Sequence, residues 1–221
     1  ILNALDIPIY EKAGYEADDL LGIISNKTKK DVLNIIVTGD LDLLQLINNH
    51  THVYRFKTGF SEIQIFDEAK MAEIYGLRPD QWVDYKAIRG DTSDNISGVP
   101  GIGEKGALEL MKNFGSLADV YEAVTKNDKR IKAGTLKKLV EGKDKAYLSQ
   151  KLARIECKNN LSVSALGYDG SAEALAKAGD FDFEKTKLGD YNQSKVTELL
   201  HALGIKALDS RLPRAQTLPK S

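Results

Sequence analysis

The spacing of apolar residues changes period several times along this chain, and each change marks a predicted element. Ile1–Leu5 reads as the tail of an amphipathic segment already in progress, and Ile7–Tyr10 as a short strand. Ala17, Leu20, Leu21 and Ile24 fall at i, i+3, i+4 and i+7, which predicts a helix starting near Glu16. That stripe leaves Asp18 and Asp19 off the core face. Leu33–Thr38 is a continuous apolar run of the buried, parallel-sheet type, and Leu41–Ile47 resumes as a short helix. Val53–Phe56 and Ile63–Phe66, separated by Thr58-Gly59, read as a hairpin. Strand and helix alternating in this way argue for a doubly wound α/β sheet.

Beyond residue 66 the period is helical. Asp67 caps a helix that buries Met71, Ile74 and Tyr75 and ends at Gly76. Pro79 suits the first turn of the next helix, which carries Trp82, Tyr85 and Ile88 inward until Gly90. Three more stripes follow: Ala107, Leu110, Met111 and Phe114, stopped by Gly115; then Leu117, Val120, Tyr121 and Val124; and last Val196, Leu199, Leu200 and Leu203. The chain is thus an α/β front passing into a helical rear, without internal repeats. Pro213–Ser221 has no apolar period and reads as a linker or tail.

Composition adds limits. A chain of 221 residues holds one large domain or two small ones. Hydrophobic content of 42% and charged content of 29% are those of a globular protein, and no apolar stretch is long enough for a bilayer. A single cysteine, Cys157, rules out an internal disulfide and fits a reducing compartment, so a cytoplasmic location is expected. The net charge of −1 hides a strong asymmetry. Between Lys126 and Arg154 ten Lys and Arg residues face only Asp128, Glu141 and Asp144, a local net of +7. Such a segment is either a solvated helical surface or a phosphate-binding flank.

Candidate chemistry lies in three acidic bursts: Glu16-Ala17-Asp18-Asp19, Asp40-Leu41-Asp42, and Asp91-Thr92-Ser93-Asp94. Ionised neighbours repel unless cations hold them together, and carboxylates at the ends of strands and helices suit Mg2+ or Mn2+. Asp40 follows the Leu33–Thr38 strand, at the sheet edge where open α/β folds bind ligands. Asp94 closes the set from a later loop. Two such ions can activate water and stabilise a leaving oxygen in phosphodiester cleavage. His50, His52 and His201 are too scattered for a zinc site. Gly98-Val99-Pro100-Gly101-Ile102-Gly103-Glu104-Lys105 opens a helix and presents backbone N–H groups suited to an anion. Taken singly, each burst also has a structural reading: first-turn acids complementing a helix dipole, an Asp-x-Asp turn, a capping loop.

In this order the motifs resemble the 5′-nuclease, flap-endonuclease-like family, in the branch formed by the 5′→3′ exonuclease domains of bacterial DNA polymerase I. Those motifs are Gly14–Asp19, Thr38–Leu43, Gly90–Asn95 and Gly98–Lys105, and the resemblance weakens after about Gly167. It implies a PIN-like parallel-sheet α/β domain over 1–78 and a helical part with a helix-hairpin-helix DNA-binding motif over 79–207. The helical part contributes Asp91 and Asp94 to the site, and 208–221 is a tail or linker.

The resemblance also implies roles. Glu16 and Asp18 match ligands of one metal ion; Asp40, Asp42 and Asp94 match acids around a second. Asp19 and Asp91 match acids that orient waters or neighbouring ligands. Gly98, Val99, Gly101, Ile102 and Gly103 match the hairpin that holds a duplex phosphate, with Lys105 beside it and K+ at its carbonyls in several members. The implied activity is two-metal hydrolysis of DNA and RNA-primer phosphodiesters at a 5′ flap or 5′ end, in replication and repair. A monomer is expected, near the nucleoid, with no membrane partner and with a polymerase domain covalently linked in the parent protein.

Departures stand beside these matches. The family's opening strand with its metal-binding Asp, and its basic helical arch, do not lie in these residues, so the expectation is a fragment of a longer polypeptide or a shortened protein. Leu41 stands where a basic residue is common and Ser97 where Pro is common. Two further readings stay open: a non-catalytic DNA-binding fragment with an incomplete acid cluster, and a magnesium phosphatase, which leaves the hairpin unexplained.

Overall fold

Asn34–Thr38, Thr51–Phe56 and Ile63–Phe66 form strands β1, β2 and β3 in the computed structural model, which describes residues 1–28, 30–56, 62–157 and 191–212. The sheet order is β1-β2-β3. β1 runs parallel to β2 with Ile36 opposite Val53, and β2 antiparallel to β3 with Val53 opposite Phe66. Ile36, Val53 and Phe66 are buried and make a row across one face. The sheet is therefore mixed, and the expected Val53–Phe56/Ile63–Phe66 pairing is present, while its Thr58-Gly59 turn lies outside the described residues. The run 33–38 is not buried on both faces: Ile35 and Val37 are 47% and 58% exposed. Among the described residues β1 is an edge strand, and Ile63 and Ile65 continue the same exposed face on β3.

Contacts divide the chain into two compact units, Ile1–Lys27 with Lys158–Ser221, and Thr28–Cys157. In the first, a 3-10 turn spans Leu2–Leu5, and helix α1, Ala17–Lys27, buries Leu20 and Ile23 against Tyr10, Tyr15 and Ile24. No strand spans Ile7–Tyr10, where Pro8 lacks the N–H that a ladder needs. A second small core joins Ala4 to Val196 and Leu200 of the C-terminal helix, Gln193–Ala202, whose cap is Asn192. The expected tail at 213–221 lies outside the described residues.

In the second unit, the segment after β1 is a 3-10 turn, Asp42–Leu46, rather than a regular short helix. Asp67 accepts the Lys70 N–H and caps α2, Glu68–Tyr75, which Gly76 ends in the left-handed region. Of the predicted stripe on α2, Met71 is buried, whereas Ile74, one turn further along the same face and close to the helix end, is 41% exposed. Pro79 opens a 3-10 turn that leads into α3, Trp82–Arg89. α3 is buried at Trp82, Val83, Tyr85, Lys86, Ala87 and Ile88, so it lies inside the unit rather than on it. Helices α4, Glu104–Phe114, and α5, Leu117–Thr125, bury the predicted Ala107, Leu110, Met111 and Leu117, Val120, Tyr121. α6, Ala133–Ala153, packs along α3 with Leu139, Gly142, Ala146, Ser149 and Ala153 inward. Those small residues bring α6 close: a Cβ on Gly142 would lie 2.8 Å from a Val99 methyl. Its other face is the solvated basic surface. No described helix is long and apolar enough to cross a membrane.

Candidate metal centre and nucleic-acid interface

The acid cluster is assembled by two local devices. At the end of β1, Thr38 Oγ1 accepts the Asp40 N–H (2.9 Å), and Asp40 Oδ1 accepts the Asp42 N–H (2.8 Å). Asp40 itself is exposed, and this chain of bonds fixes where the Asp42 side chain leaves the backbone. At the end of α3, the Gly90 N–H donates to Lys86 C=O, and Asp91 and Ile96 exchange both backbone bonds (2.8 and 2.7 Å). That bridge closes the loop carrying Asp91 and Asp94, with Asn95 in the left-handed region at its turn. Carboxylate oxygens of Asp42, Asp91 and Asp94 lie within 4.8 Å of one another.

A lysine holds this cluster together. The Lys86 ammonium, on a side chain only 2% exposed, donates to Asp91 Oδ2 at 2.6 Å and also contacts Asp42 Oδ1. Ser93 donates to Asp91 Oδ1 through its N–H (3.0 Å) and its hydroxyl (2.5 Å). Burial alone would raise the Asp91 carboxyl, but the Lys86 and Ser93 hydrogen bonds outweigh it and hold it down to about 2. Three carboxylates and one ammonium leave a formal charge of −2, which one divalent cation balances.

The residues fit a hard divalent ion. All donors are carboxylate oxygens, the ligands Mg2+ and Mn2+ prefer. Metal–oxygen bonds of about 2.1 Å put two ligands of one ion at most about 4.2 Å apart, so the cluster needs only a small contraction to share one. Glu16, Asp18 and Asp19 belong to the other compact unit. There Glu16 precedes α1, and its N–H donates to Asp19 Oδ2 at 3.3 Å, the acid reaching back as in a capping box.

The glycine hairpin divides into a buried half and an open half. Gly98 and Val99 are buried: the Gly98 N–H donates to Ser149 Oγ (3.0 Å) and the Val99 N–H to Ile88 C=O (2.8 Å). Gly98 has φ +59°, and a Cβ there would lie 2.3 Å from Gly90 N. Ile102 is buried too, and its N–H donates to Val99 C=O (3.0 Å). Gly101, Gly103 and Lys105 are exposed, and the first N–H groups of α4 beyond Gly103 have no intrahelical acceptor. Lys138 of α6 reaches across and donates to Gly101 C=O at 2.8 Å.

Sequence reasoning missed Lys86, Ser93 and Lys138 as participants. Lys86 carried a signal: it is a lysine four residues after Trp82, on a helix whose neighbouring positions are apolar. Ser93 carried a local one, standing two residues after Asp91 where a turn bond to its carboxylate forms, whereas Lys138 carried none, since its partner Gly101 is brought near by folding.

Comparisons with known proteins converge. Residues 1–76 match the family model described as 5'-3' exonuclease, N-terminal resolvase-like domain. Residues 77–174 match the one described as 5'-3' exonuclease, C-terminal SAM fold. The DNA polymerase I of Caldicellulosiruptor bescii is 37% identical over 215 residues, 96% of this chain and 23% of that protein. The DNA polymerase I of Bacillus subtilis is 38% identical over 216 residues, 96% of this chain and 22% of that protein. The chain thus spans less than a quarter of the length of these relatives. Among solved structures, T5 5'-exonuclease with bound divalent metal ions (zinc) is similar at TM-score 0.53 and 23% identity, over 63% of this chain and 50% of that one. A T5 D15 flap endonuclease complex with DNA and metal ions gives TM-score 0.52 and 22% identity, with the same coverage. At such identities the likeness is one of fold: a mixed sheet with packed helices.

Proposed function

Since the chain belongs to the 5'-3' exonuclease family, we propose that it is the metal-dependent 5′-nuclease part of a DNA polymerase I-type protein, cutting DNA and RNA-primer strands at a 5′ flap or 5′ end. The observation that carries this reading is the convergence of Asp42 with Asp91 and Asp94, acids from segments about fifty residues apart, within 4.8 Å. When bound, Mg2+ or Mn2+ supplies an activated water and charge stabilisation on the leaving oxygen. Asp42, Asp91 and Asp94 hold the ion, Asp40 aims Asp42 through its backbone, and Ser93 orients Asp91. The reading assigns Glu16 and Asp18 to a second ion, with Asp19 holding Glu16.

On the binding side, the exposed Gly101 and Gly103 and the first turn of α4 suit a duplex phosphate, and contacts of that kind position DNA without reading its bases. Lys105 and the basic face of α6 add charge. The Gly101 carbonyl already accepts the Lys138 ammonium, so K+ at that oxygen would compete with a built-in cation. The functional division is 1–78 for metal binding and 79–207 for DNA holding plus Asp91 and Asp94, acting as a monomer on nucleoid DNA in the cytoplasm.

A second reading, a DNA-binding fragment without catalysis, is favoured by one observation: Lys86 already neutralises part of the acid cluster. Incubating the 221-residue chain with a 5′-labelled flap duplex, in Mg2+ or Mn2+ and in chelator, separates the two. Metal-dependent cutting at the junction supports the nuclease. Duplex binding without cutting supports the second reading, and absence of both cutting and binding overturns each.

A further inference from the structure

We infer that Lys86 is a positioning residue that serves as the internal counter-ion of the acid cluster, standing in for the divalent ion in the metal-free chain and lowering the cluster's affinity for it. The inference rests on the reading of Asp42, Asp91 and Asp94 as a metal site. Three features carry it. The side chain is 2% exposed, on a helix buried nearly all round, so its charge is not there for solvation. A charge so placed is costly unless paired, and here both partners are acids of the cluster. Asp42 is 13% and Asp91 15% exposed, and without a cation between them these carboxylates repel.

Lys86 therefore does before metal binding what the metal does afterwards. It holds an acid from the end of β1 beside one from the loop after α3, at ligand spacing. An incoming divalent ion meets oxygens already engaged by an ammonium and a positive charge at contact range, which weakens its binding. The same pairing keeps the carboxylates from forcing their segments apart.

Mn2+ binding by the intact 221-residue chain, measured calorimetrically, tests this with Lys86→Met and Lys86→Arg. Lys86→Met removes the charge and keeps the length of the side chain. It is expected to bind Mn2+ roughly tenfold more tightly, the scale of one charge removed from a partly solvated site, and to melt lower than the native chain in chelator. Lys86→Arg keeps the charge and is expected to stay within about threefold of native affinity. Lost packing alone would loosen the site, so tighter binding is an outcome that a merely structural lysine does not give. Equal or weaker binding by Lys86→Met, against measurable native binding, overturns this inference alone. Absence of Mn2+ binding by all three chains overturns the metal reading and this inference with it. Should Lys86→Met fail to fold, the native ammonium is followed by nitrogen NMR. A solvent-protected signal that loses protection on Mg2+ addition supports the inference, and one that stays protected at saturation overturns it.

Discussion

The loop that carries Asp91 and Asp94 and the glycine hairpin lie a few residues apart in sequence, both after α3, yet the acid cluster and the hairpin are built in opposite ways. The cluster is made of side chains drawn from distant segments and held by a buried lysine; its backbone takes positive φ at Gly90 and Asn95, on either side of its loop. The hairpin is made of backbone, and half of its motif is committed to packing: Gly98, Val99 and Ile102 are buried with their N–H groups bonded inside the protein. A dense motif is therefore not a uniformly accessible one. In the cluster, changing a side chain alters chemistry; in the hairpin, position decides whether a change alters the fold or the surface.

The largest effect that sharpens this contrast is on the chemical side. Asp94 is exposed and its carboxylate belongs to the cluster, so Asp94→Ala in the full-length protein is expected to cut cleavage roughly a hundredfold or more while leaving duplex affinity unchanged. Single-turnover cleavage and a binding titration check the two halves, and unchanged turnover breaks the assignment.

On the hairpin side the largest effect is structural. Gly98→Ala places a Cβ against Gly90 N at 2.3 Å, and at a positive φ. Strain in the left-handed region and overpacking together predict a loss of about 2–4 kcal/mol, read from the denaturant midpoint. A wild-type midpoint would mean that the two glycine backbones do not approach in this way.

Acid sensitivity separates the regions next. The Asp91 carboxyl falls to about 2 in the folded chain against an ordinary value of 3.8. A lowered value means stability that is present above pH 3.8 and is lost as pH falls toward 2. Asp91→Asn should therefore flatten the decline in metal-free stability between those limits, measured by chemical denaturation across pH. A decline as steep in the variant as in the native chain would remove Asp91 from the account.

Much of this was legible in the chain before its structure. Periodicity located α1 and α3 to α5, and the caps at Asp67, Gly76, Gly90 and Gly115 follow from residue type, because helix ends satisfy local hydrogen-bonding needs. The acids were visible because their density has no cheap structural explanation. Lys86 was not, because one lysine in a helix reads as solvated until tertiary packing encloses it. The same limit hid the exposure of Ile35 and Val37: an apolar run states a preference for burial but not what covers each face. Nor does the spelling Gly98–Gly103 distinguish a glycine needed by a neighbouring backbone from one open to solvent.

That last distinction gives the smallest and most selective test. Gly103 has φ −90° and nothing within 4 Å of a built Cβ, and it caps α4 without a side-chain bond. Gly103→Asn adds bulk at the open hairpin surface while supplying a good N-cap, so the stability should change by no more than about 0.5 kcal/mol. Duplex affinity should nevertheless fall roughly threefold to tenfold, because the added side chain stands where a phosphate would approach the backbone. No charge is removed, so the salt dependence of binding should keep its slope while the whole line shifts. Equal affinity at every salt concentration would take the hairpin out of DNA binding and leave the basic face of α6 to account for it. A changed slope would mean that the substitution had disturbed the lysines instead, Lys105 and Lys138 being the nearest to the hairpin along the chain and in space.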